Sequence, residues 1–329
     1  MGDIRERFEK NIKAHTKPNE KLAVAVSGGA DSMCLLSLAL NAPFIKKQNL
    51  RVVSVDHQIR AESAHDVQFV QEFCLRHGVT FLPYAVNVPA LAKKSGASLE
   101  TAAREARKKI FALLVAEKTA DKVLTAHHAS DNAESIFMHL LRGCGLQGLC
   151  GMEMLHEGFL LRPLLDVQKD EIVRYISQNE LPFTQDETNT DNTYTRNFIR
   201  NEILPRIKQR YTGAENALIN LSQDARTALA FIDAGAAGQH SAVQDGVYTV
   251  SLDKLKNPAA AARHITHALP PHIARLLQRK HIELIIALQF ADEHAGIDLP
   301  AKFRAVKQAG SIVLFSKSNK FSKTEKQKS

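Results

Sequence analysis

The sequence lacks the long apolar runs that mark membrane and exported proteins. No stretch of its 329 residues approaches the roughly 18 consecutive apolar residues that a transmembrane helix needs, so we expect no membrane partner. The N-terminal segment MGDIRERFEKNIKAH is charged throughout, without the apolar core of a secretory signal, which predicts a cytoplasmic protein. Hydrophobic residues make up 44% and charged residues 24% of the chain, which is close to the globular average and argues against disorder.

Cysteine is also scarce. The chain has 4 cysteines, none of them in the C-x-x-C spacing of a zinc ribbon or a thioredoxin-like redox pair. Cys34 and Cys74 lie in apolar helical patterns and are interpreted as core residues. Cys144 and Cys150, in the segment GCGLQGLCG, are the one pair for which redox chemistry is worth testing.

Positive charge is concentrated near the C-terminus. The formal net charge is +8, and counting along the sequence places all of it after residue 250, because residues 1–250 sum to zero. Clustered Lys and Arg gain affinity for polyanions by releasing phosphate counterions. The C-terminal part is therefore a candidate for nucleic-acid binding, although basic tails without that function are common.

Short apolar strands alternate with amphipathic helices over the first half of the chain. The strands are predicted at 22–26, 50–56, 79–86 and 122–126. Each strand is followed by a predicted helix, at Asp31–Leu40, 64–77, 99–118 and from Asp131 onward. This alternation predicts an α/β fold with a doubly wound parallel sheet. Ligands of such sheets bind at the carboxyl ends of the strands, so functional residues are expected just after positions 26, 56 and 126.

The pattern changes in the second half. Asp166 is predicted to cap a helix that ends before Pro182, and another helix is predicted from Asn197 to Tyr211. Ala- and Leu-rich helices at 215–235, 256–269 and 271–290, with a strand at 311–315, predict a smaller, mainly helical C-terminal domain. The predicted domains are residues 1–213 and 214–315, followed by a Lys-rich, disordered tail at 316–329.

The segment Ser27-Gly28-Gly29-Ala30-Asp31-Ser32 joins the first strand to a helix, where backbone N–H groups and the helix dipole favour an anion. Two glycines let the backbone approach phosphate oxygens closely, and two serines add donors. The segment is neither a Walker A loop nor a G-x-G-x-x-G fingerprint. A carboxylate beside phosphates is repulsive unless a divalent cation lies between them, so Asp31 points to a magnesium-bridged triphosphate. The alternative is an ordinary helix-capping turn.

Two further acidic residues follow the strand at 122–126. Asp131 and Glu134 are three residues apart at a predicted helix start, which places both carboxylates on one face, and His127 precedes them. Such groups can hold magnesium, attract an ammonium group or accept its proton. An amine nucleophile must lose a proton before it attacks, so a nearby base is required. The alternative is a capping Asp with a solvated Glu one turn later.

The segment SGGADS resembles the pyrophosphate loop of the ATP pyrophosphatase (PP-loop) superfamily. Further strings are similar to segments of one member, the tRNA(Ile)-lysidine synthetases, in the order in which that family carries them: VDHQIRAES from Val55, HHASDNAES from His127, RPLL from Arg162, DETN from Asp186 and RNFIR from Arg196. A weaker similarity covers AGIDLPAKFRAVKQAGSIVLF in the second domain, whereas the further C-terminal domain of longer members has no counterpart.

The resemblance implies a ligase reaction. ATP would adenylate C2–O of the wobble cytidine in a tRNA(Ile) with a CAU anticodon, and the ε-amine of free L-lysine would then displace AMP to leave lysidine, which changes the codon read from AUG to AUA. The cofactors would be ATP and Mg²⁺. Oligomeric state is left open, with a homodimer as one possibility. The loop residues Ser27, Gly28, Gly29, Asp31 and Ser32 would bind ATP.

The resemblance also implies roles for individual side chains. Magnesium would be held by Asp31 and Asp131. Arg107, which matches a nucleotide-contacting arginine of the family, would stabilise phosphate charge. Asp131, Glu134 and His127 would position or deprotonate the nucleophile. The basic second domain would bind the tRNA.

Three other functions are weighed. A tRNA thiolase of the same superfamily shares the adenylation step, but it needs reactive cysteines that are commonly in C-x-x-C pairs. A small-molecule amide synthetase would not explain the basic C-terminal region. A non-catalytic nucleotide- or RNA-binding protein with the same fold would not need Asp31, Asp131 and Glu134, all of which are present.

Overall fold

The structure is a computed structural model that describes residues 3–59, 63–185, 192–193, 195–236, 241–252 and 257–318. It divides between Gln223 and Asp224 into two compact units. The division lies inside a long helix that runs from Ala214 to Ala236. The domain boundary at residue 213 remains a prediction, and most of the Lys-rich tail, residues 319–329, lies outside the described residues.

The first unit contains a six-stranded sheet with the strand order β3-β2-β1-β4-β6-β5. β1 pairs in parallel with β2 and β4, whereas β5 at the edge is antiparallel to β6. This order confirms the predicted doubly wound α/β fold, in which the first strand is central. The strands are β1 Leu22–Ala25, β2 Leu50–Asp56, β3 Thr80–Ala85, β4 Lys122–Leu124, β5 Leu155–His156 and β6 Leu160–Leu161.

Helices pack on both faces of this sheet. The longer ones, at least seven residues each, are α1 Ile4–His15, α2 Ala30–Asn41, α3 Ser63–His77, α4 Val88–Ser95, α5 Leu99–Ala116, α6 Ala129–Leu141, α8 Lys169–Gln178 and α10 Leu204–Arg210, together with the first part of α11 Ala214–Ala236. Two single turns, α7 Leu146–Leu149 and α9 Thr195–Phe198, are also present, and a π-helical segment at Ile199–Ile203 joins α9 to α10.

Both faces of the central strand are buried, as its continuous apolar sequence predicts. Val24 packs in a cluster with Leu35 of α2 on one face. The neighbouring residue Ala23 belongs to a different cluster with Phe111 and Leu114 of α5. Alternate residues of β1 therefore point to helices on opposite sides of the sheet. The Ser27–Ser32 loop begins at the carboxyl end of this buried strand.

The start of α8 differs from the sequence prediction. Gln168, not Asp166, is the N-cap residue, and its backbone N–H donates to the Glu171 carboxylate at 3.0 Å. The Asp166 carboxylate instead accepts a hydrogen bond from Asn11 Nδ2 of α1 at 2.9 Å. The prediction that Asp166 caps the helix was wrong because a tertiary contact with α1 engages this side chain.

The second unit combines helices with a five-stranded antiparallel sheet of order β7-β8-β11-β10-β9. The helices are α12 Pro258–Ala268, α13 Pro271–Ala274 and α14 Arg279–Ala287, and the strands are β7 Ser241–Gln244, β8 Val247–Val250, β9 Gly296–Leu299, β10 Phe303–Gln308 and β11 Ser311–Ser316. Ile265, Ile285 and Leu314 form its buried centre. The predicted strand at 311–315 is β11, whereas the other four strands were not anticipated.

Candidate functional site

The loop after β1 has the geometry of an anion-binding turn. Gly29 is the N-cap of α2, so the free N–H groups of the first helical turn lie at the loop. The Ser32 hydroxyl donates to the Gly29 carbonyl at 2.8 Å and accepts from the Ser27 backbone N–H at 3.2 Å. The two hydroxyls of Ser27 and Ser32 are 3.3 Å apart. Serines five residues apart thus close the loop into a compact cradle.

Gly28 is required by this cradle for two reasons. Its φ is +91°, a conformation that residues with a Cβ rarely adopt. A Cβ at this position would also lie 2.8 Å from Thr184 Oγ1, and the Thr184 backbone N–H donates to the Gly28 carbonyl at 2.9 Å. The segment around Thr184 therefore packs directly against the loop. We expect any side chain at position 28 to displace it.

Asp31 and Asp131 meet at one histidine nitrogen. They belong to the first turns of α2 and α6, which follow the adjacent parallel strands β1 and β4. His128 Nε2 lies 3.7 Å from Asp31 Oδ2 and 3.3 Å from Asp131 Oδ2. The His128 backbone N–H also donates to Asp131 Oδ2 at 3.1 Å. The structure thus places the carboxylates of these two predicted site residues beside the same imidazole, while their role in binding a metal stays a prediction.

Neighbouring side chains keep the pKa of both carboxylates low. Burial by itself would raise the pKa of Asp31, but the hydrogen bond and electrostatic interaction with His128, together with the charge of Lys169, lower that pKa to about 2. Burial likewise raises the pKa of Asp131, but electrostatic interactions with His128, Arg196 and Arg200 lower that pKa nonetheless. Both residues are therefore anions near neutral pH.

Glu134 is held by two arginines. Its side chain is only 3% exposed, and Arg196 Nε and Arg200 Nε approach its two oxygens at 3.0 and 2.6 Å. Arg200 also reaches Asp131 Oδ1 at 2.8 Å. A buried carboxylate needs such partners, because an unpaired buried charge is costly. In this arrangement Glu134 anchors the RNFIR segment against α6. The spacing of Asp131 and Glu134 in the sequence does not predict this role.

Lys169, the first residue of α8, forms an ion pair with Asp31. No sequence motif singled out this lysine. One signal was present, because a positive charge in the first turn of a helix opposes the helix dipole and needs a compensating partner. The partner lies far away in sequence, across the site.

His127 stays neutral in this environment. Burial lowers its pKa to about 3, and the positive charges of Arg162, Arg196 and Arg107 add to the shift. Thr125 Oγ1 lies 3.0 Å from its Nδ1. A group with so low a pKa holds no proton near neutral pH, so it suits positioning better than accepting a proton from an ammonium group.

Arg107 of α5 acts on this region through its charge. Burial lowers the pKa of His57 to about 4, and Arg107 contributes to that shift as well as to the shift of His127. The pKa of Arg107 itself is lowered by burial and by the like charges of Arg104 and Arg196, although its guanidinium group remains charged. The fold therefore directs this cation towards the carboxyl ends of β2 and β4.

The two aspartates fit a magnesium ion that arrives with a nucleotide. Magnesium commonly takes one or two carboxylates and completes its shell with phosphate oxygens and water. Asp31 and Asp131 converge on the same His128 nitrogen, immediately beside the Ser27–Ser32 loop. Within the described ranges, no group of three or more His, Cys, Asp or Glu residues forms a cage that would hold a metal without such help.

The fold thus brings together the loop residues, Asp131, Glu134 and His127, and it directs Arg107 towards them. It adds His128, Lys169, Arg196 and Arg200 as their direct partners. Parts of the quoted motifs, namely Arg60, Glu62 and the DETN segment at 186–189, lie outside the described residues. None of the helices that the structure describes has the length and apolarity to cross a membrane.

Sequence comparison matches residues 3–207 to the PP-loop domain family. The tRNA(Ile)-lysidine synthase of Clostridium acetobutylicum is 30% identical over 95% of this chain and 69% of its own length. The bifunctional protein TilS/HprT of Listeria monocytogenes is 33% identical over 93% of this chain and 49% of its own length. The chain thus spans about half the length of the relatives of the Listeria type that it matches.

Among solved structures, the U34-tRNA thiolase NcsA of Methanococcus maripaludis, determined with its 4Fe–4S cluster, is similar. The TM-score is 0.55 at 19% identity, and the match covers 67% of this chain and 78% of the thiolase. At this level of identity the similarity concerns the fold alone. It agrees with the sheet order described above.

Proposed function

The chain belongs to the PP-loop domain family and, within it, to the tRNA(Ile)-lysidine synthases, and from this premise we propose that it ligates free lysine to the wobble cytidine of a CAU-anticodon tRNA(Ile) at the expense of ATP. One observation supports this activity above others. The PP-loop and two carboxylates from adjacent strands converge on His128, with Asp31 and Asp131 both within 3.7 Å of one nitrogen.

In the first step the C2 carbonyl oxygen of cytidine attacks the α-phosphorus of ATP, and the bond to pyrophosphate breaks. The Ser27–Ser32 loop, with the helix N-terminus behind it, binds the pyrophosphate part of ATP. Asp31 and Asp131 would hold a magnesium ion, which would neutralise charge on the leaving group. Arg107 adds a positive charge that persists near neutral pH.

In the second step the lysine ε-amine attacks C2, AMP leaves, and one proton is released from the amine. Asp131 and Glu134 surround the region with negative charge that attracts the substrate ammonium. Arginines contact both carboxylates, Glu134 through both of its oxygens and Asp131 through Oδ1, so the amine must replace one of these contacts before either carboxylate accepts its proton. His127, neutral and hydrogen-bonded to Thr125, orients groups at the end of β4.

The second unit supplies affinity for tRNA in this proposal. Residues 251–329 carry the whole net charge of +8. Clustered cations bind the phosphates of a nucleic acid with a strong salt dependence. Binding of a free amino acid or a nucleotide does not require such a cluster. We place the reaction in the cytoplasm, where tRNA is matured. A homodimer remains a prediction that sedimentation measurements can test.

Incubation of the protein with magnesium-ATP, radiolabelled lysine and an unmodified tRNA transcript tests the proposal. Acid-precipitable label that survives mild alkaline deacylation, and that disappears when the wobble cytidine is replaced by uridine, establishes lysidine formation. Pyrophosphate release without stable label indicates a thiolase-like adenylation instead. Absence of both contradicts the proposal in favour of a binding protein.

Substitution of the proposed metal ligand adds a sharper test. Asp131→Asn keeps the side-chain size but removes the charge, so single-turnover adenylation should fall by at least tenfold. Asp121→Asn is a matched control, because the carboxylate of this exposed aspartate accepts a hydrogen bond from the Lys21 backbone N–H. Equal adenylation rates for the two variants would remove Asp131 from the mechanism.

A further inference from the structure

Arg162, in the RPLL segment, has a buried guanidinium nitrogen without a partner. The residue directly follows β6, so it lies at the carboxyl edge of the sheet, next to the end of β4. Its Nη1 donates to the Glu153 carbonyl at 2.6 Å, whereas its Nε is buried and has no hydrogen-bond partner among the described residues. An unpaired buried donor of a charged group is costly, so this position suits an anion that arrives from outside the chain.

Arg104 of α5 faces the same part of the sheet. Lys108, four residues later, forms an ion pair with Glu157 in the turn before β6, with Nζ and Oε1 2.6 Å apart. Residues four apart share a helix face, so Arg104 also faces the segment of β6. Because α5 joins the parallel strands β3 and β4, it runs opposite to them, and Arg104 lies nearer than Lys108 to the carboxyl edge. Arg104 forms no ion pair with any described carboxylate.

The charge of Arg104 acts on two neighbouring guanidinium groups. Burial lowers the pKa of Arg162, Glu153 raises it, and Arg104 lowers it again. Burial and the charge of Arg104 also lower the pKa of Arg107. Like charges held together are unfavourable unless an anion lies near them. We call Arg104 and Arg162 the arginine pair, and the position of these two cations at the site indicates an anionic ligand.

We propose that the arginine pair binds a backbone phosphate of the RNA substrate next to the cytidine that reacts. The inference rests on the proposed function for the identity of that RNA, and it adds a phosphate site in the first unit. The pyrophosphate part of ATP is placed elsewhere, at the loop after β1, and β4 separates β1 from β6. Neighbouring strands are about 4.8 Å apart, so the ends of β1 and β6 are separated by about 10 Å and Arg162 is available to a different phosphate.

The reaction itself requires positive charge at this place. The reacting oxygen of cytidine is bonded to C2, and C2 is bonded to the ring nitrogen that carries the ribose. The RNA backbone therefore follows the base towards the α-phosphate of ATP, and phosphate groups of two anions approach each other. This repulsion is reduced when cations lie between or beside them. Guanidinium groups suit this position because they stay charged and bind phosphate through two parallel hydrogen bonds.

Binding of a synthetic CAU anticodon stem-loop tests the assignment in the full chain without turnover. We expect Arg104→Gln and Arg162→Gln each to lower the affinity about tenfold, as the loss of a hydrogen bond to a charged group does. The slope of log K against log salt concentration should decrease by about 0.7, the value for one contact to a single strand. The affinity for ATP, measured by calorimetry without RNA, should not change.

Arg51→Gln is the matched control for these variants. It removes the same charge at the amino end of β2, the opposite edge of the sheet, where Nη1 donates to the Gln48 carbonyl at 2.7 Å. Because Arg104 is exposed, Arg104→Gln should melt at the temperature of this control. A loss of RNA affinity in Arg104→Gln then does not arise from unfolding.

Neutral linkages in the RNA identify the group that the arginine pair binds. A methylphosphonate replaces the phosphate on one side of the wobble cytidine, in two separate stem-loops. The unsubstituted protein should bind at least one of them about tenfold more weakly than the RNA with all its phosphates. Arg104→Gln should bind that RNA and the RNA with all its phosphates with equal affinity, because the contact is already lost.

The outcomes separate this inference from the proposed function. RNA affinity and salt slope at the control value in both variants overturn the inference. A weaker affinity for ATP with unchanged affinity for RNA also overturns it, since it assigns the arginine pair to the nucleotide. Neutral linkages that weaken binding equally in the unsubstituted protein and in both variants overturn it as well. Loss of RNA affinity in both variants, while no lysidine forms, supports the inference and contradicts the proposed function instead.

Discussion

Replacement of Gly28 by alanine tests the geometry of the PP-loop. The new Cβ incurs two costs, which the structure separates. A residue with a Cβ at φ +91° costs about 1–2 kcal/mol of backbone strain. The contact with Thr184 Oγ1 at 2.8 Å adds about 1 kcal/mol, because the short, β-branched threonine has few other rotamers.

We therefore expect Gly28→Ala to lower the free energy of unfolding by about 2–3 kcal/mol, which corresponds to roughly 4–12 °C in the melting temperature of a unit of this size. Differential scanning calorimetry measures this change, and the KM for ATP should rise in the same variant because the N–H groups of the loop are displaced. Gly78→Ala is the matched control. Gly78 has φ +60° and nothing within 4 Å of its Cβ position, so only the backbone cost applies.

The contact contribution can be isolated by a double-mutant cycle. Thr184→Ala removes Oγ1 while keeping the backbone hydrogen bond from Thr184 to Gly28. In that background Gly28→Ala should cost about 1 kcal/mol less than in the wild-type protein. The reasoning is refuted if Gly28→Ala melts no lower than Gly78→Ala and keeps the wild-type KM for ATP.

Three further outcomes follow from the same structure. Arg200→Met should destabilise the protein by about 2 kcal/mol in urea unfolding, because Glu134 is buried and loses one of its charged partners, whereas Arg206→Met, at an exposed pair with Glu202, should cost under 0.5 kcal/mol. Burial lowers the pKa of His127 from its ordinary 6.5 to about 3, so the unfolded chain takes up a proton first and stability should fall as the pH drops from 6.5 towards 3. His127→Gln should show a shallower fall between pH 7 and 4.5, and an equal slope would contradict the assignment. Finally, tRNA affinity in filter binding should fall steeply with salt concentration, and a flat response would exclude the basic C-terminal part as the binding surface.

The fold of the first unit could be predicted because its local signals and its packing agree. Residues 22–26 are apolar without alternation, as a strand buried on both faces requires, and the observed strand lies at Leu22–Ala25. The second unit was harder. Its hairpins turn at Asp245-Gly246 and Ala309-Gly310, where both residues have positive φ. Asp-Gly is a strong hairpin signal, but the flanking strands β7 and β8 have only 4 residues each.

The site was predictable where the sequence order itself brings residues to one sheet edge. Ser27–Ser32 and Asp131 follow adjacent strands, so their proximity follows from topology. The partners of these groups could not be found in this way. Lys169 and Arg200 reach the carboxylates from α8 and from the π-helical segment, and no periodicity fixes where those segments pack.

These partners also explain how two carboxylates with little exposure, Asp131 and Glu134, coexist near the end of β4. Asp131 and Glu134 would repel each other in a dry site, and their burial alone would favour protonation. Arg196 and Arg200 bridge the two carboxylates, and His128 links Asp131 to Asp31. The charges therefore form one connected network. A nucleotide with its magnesium, or an incoming amine, must exchange into that network rather than fill an empty cavity, so ligand binding should change the pKa values and positions of Asp31 and Asp131 together.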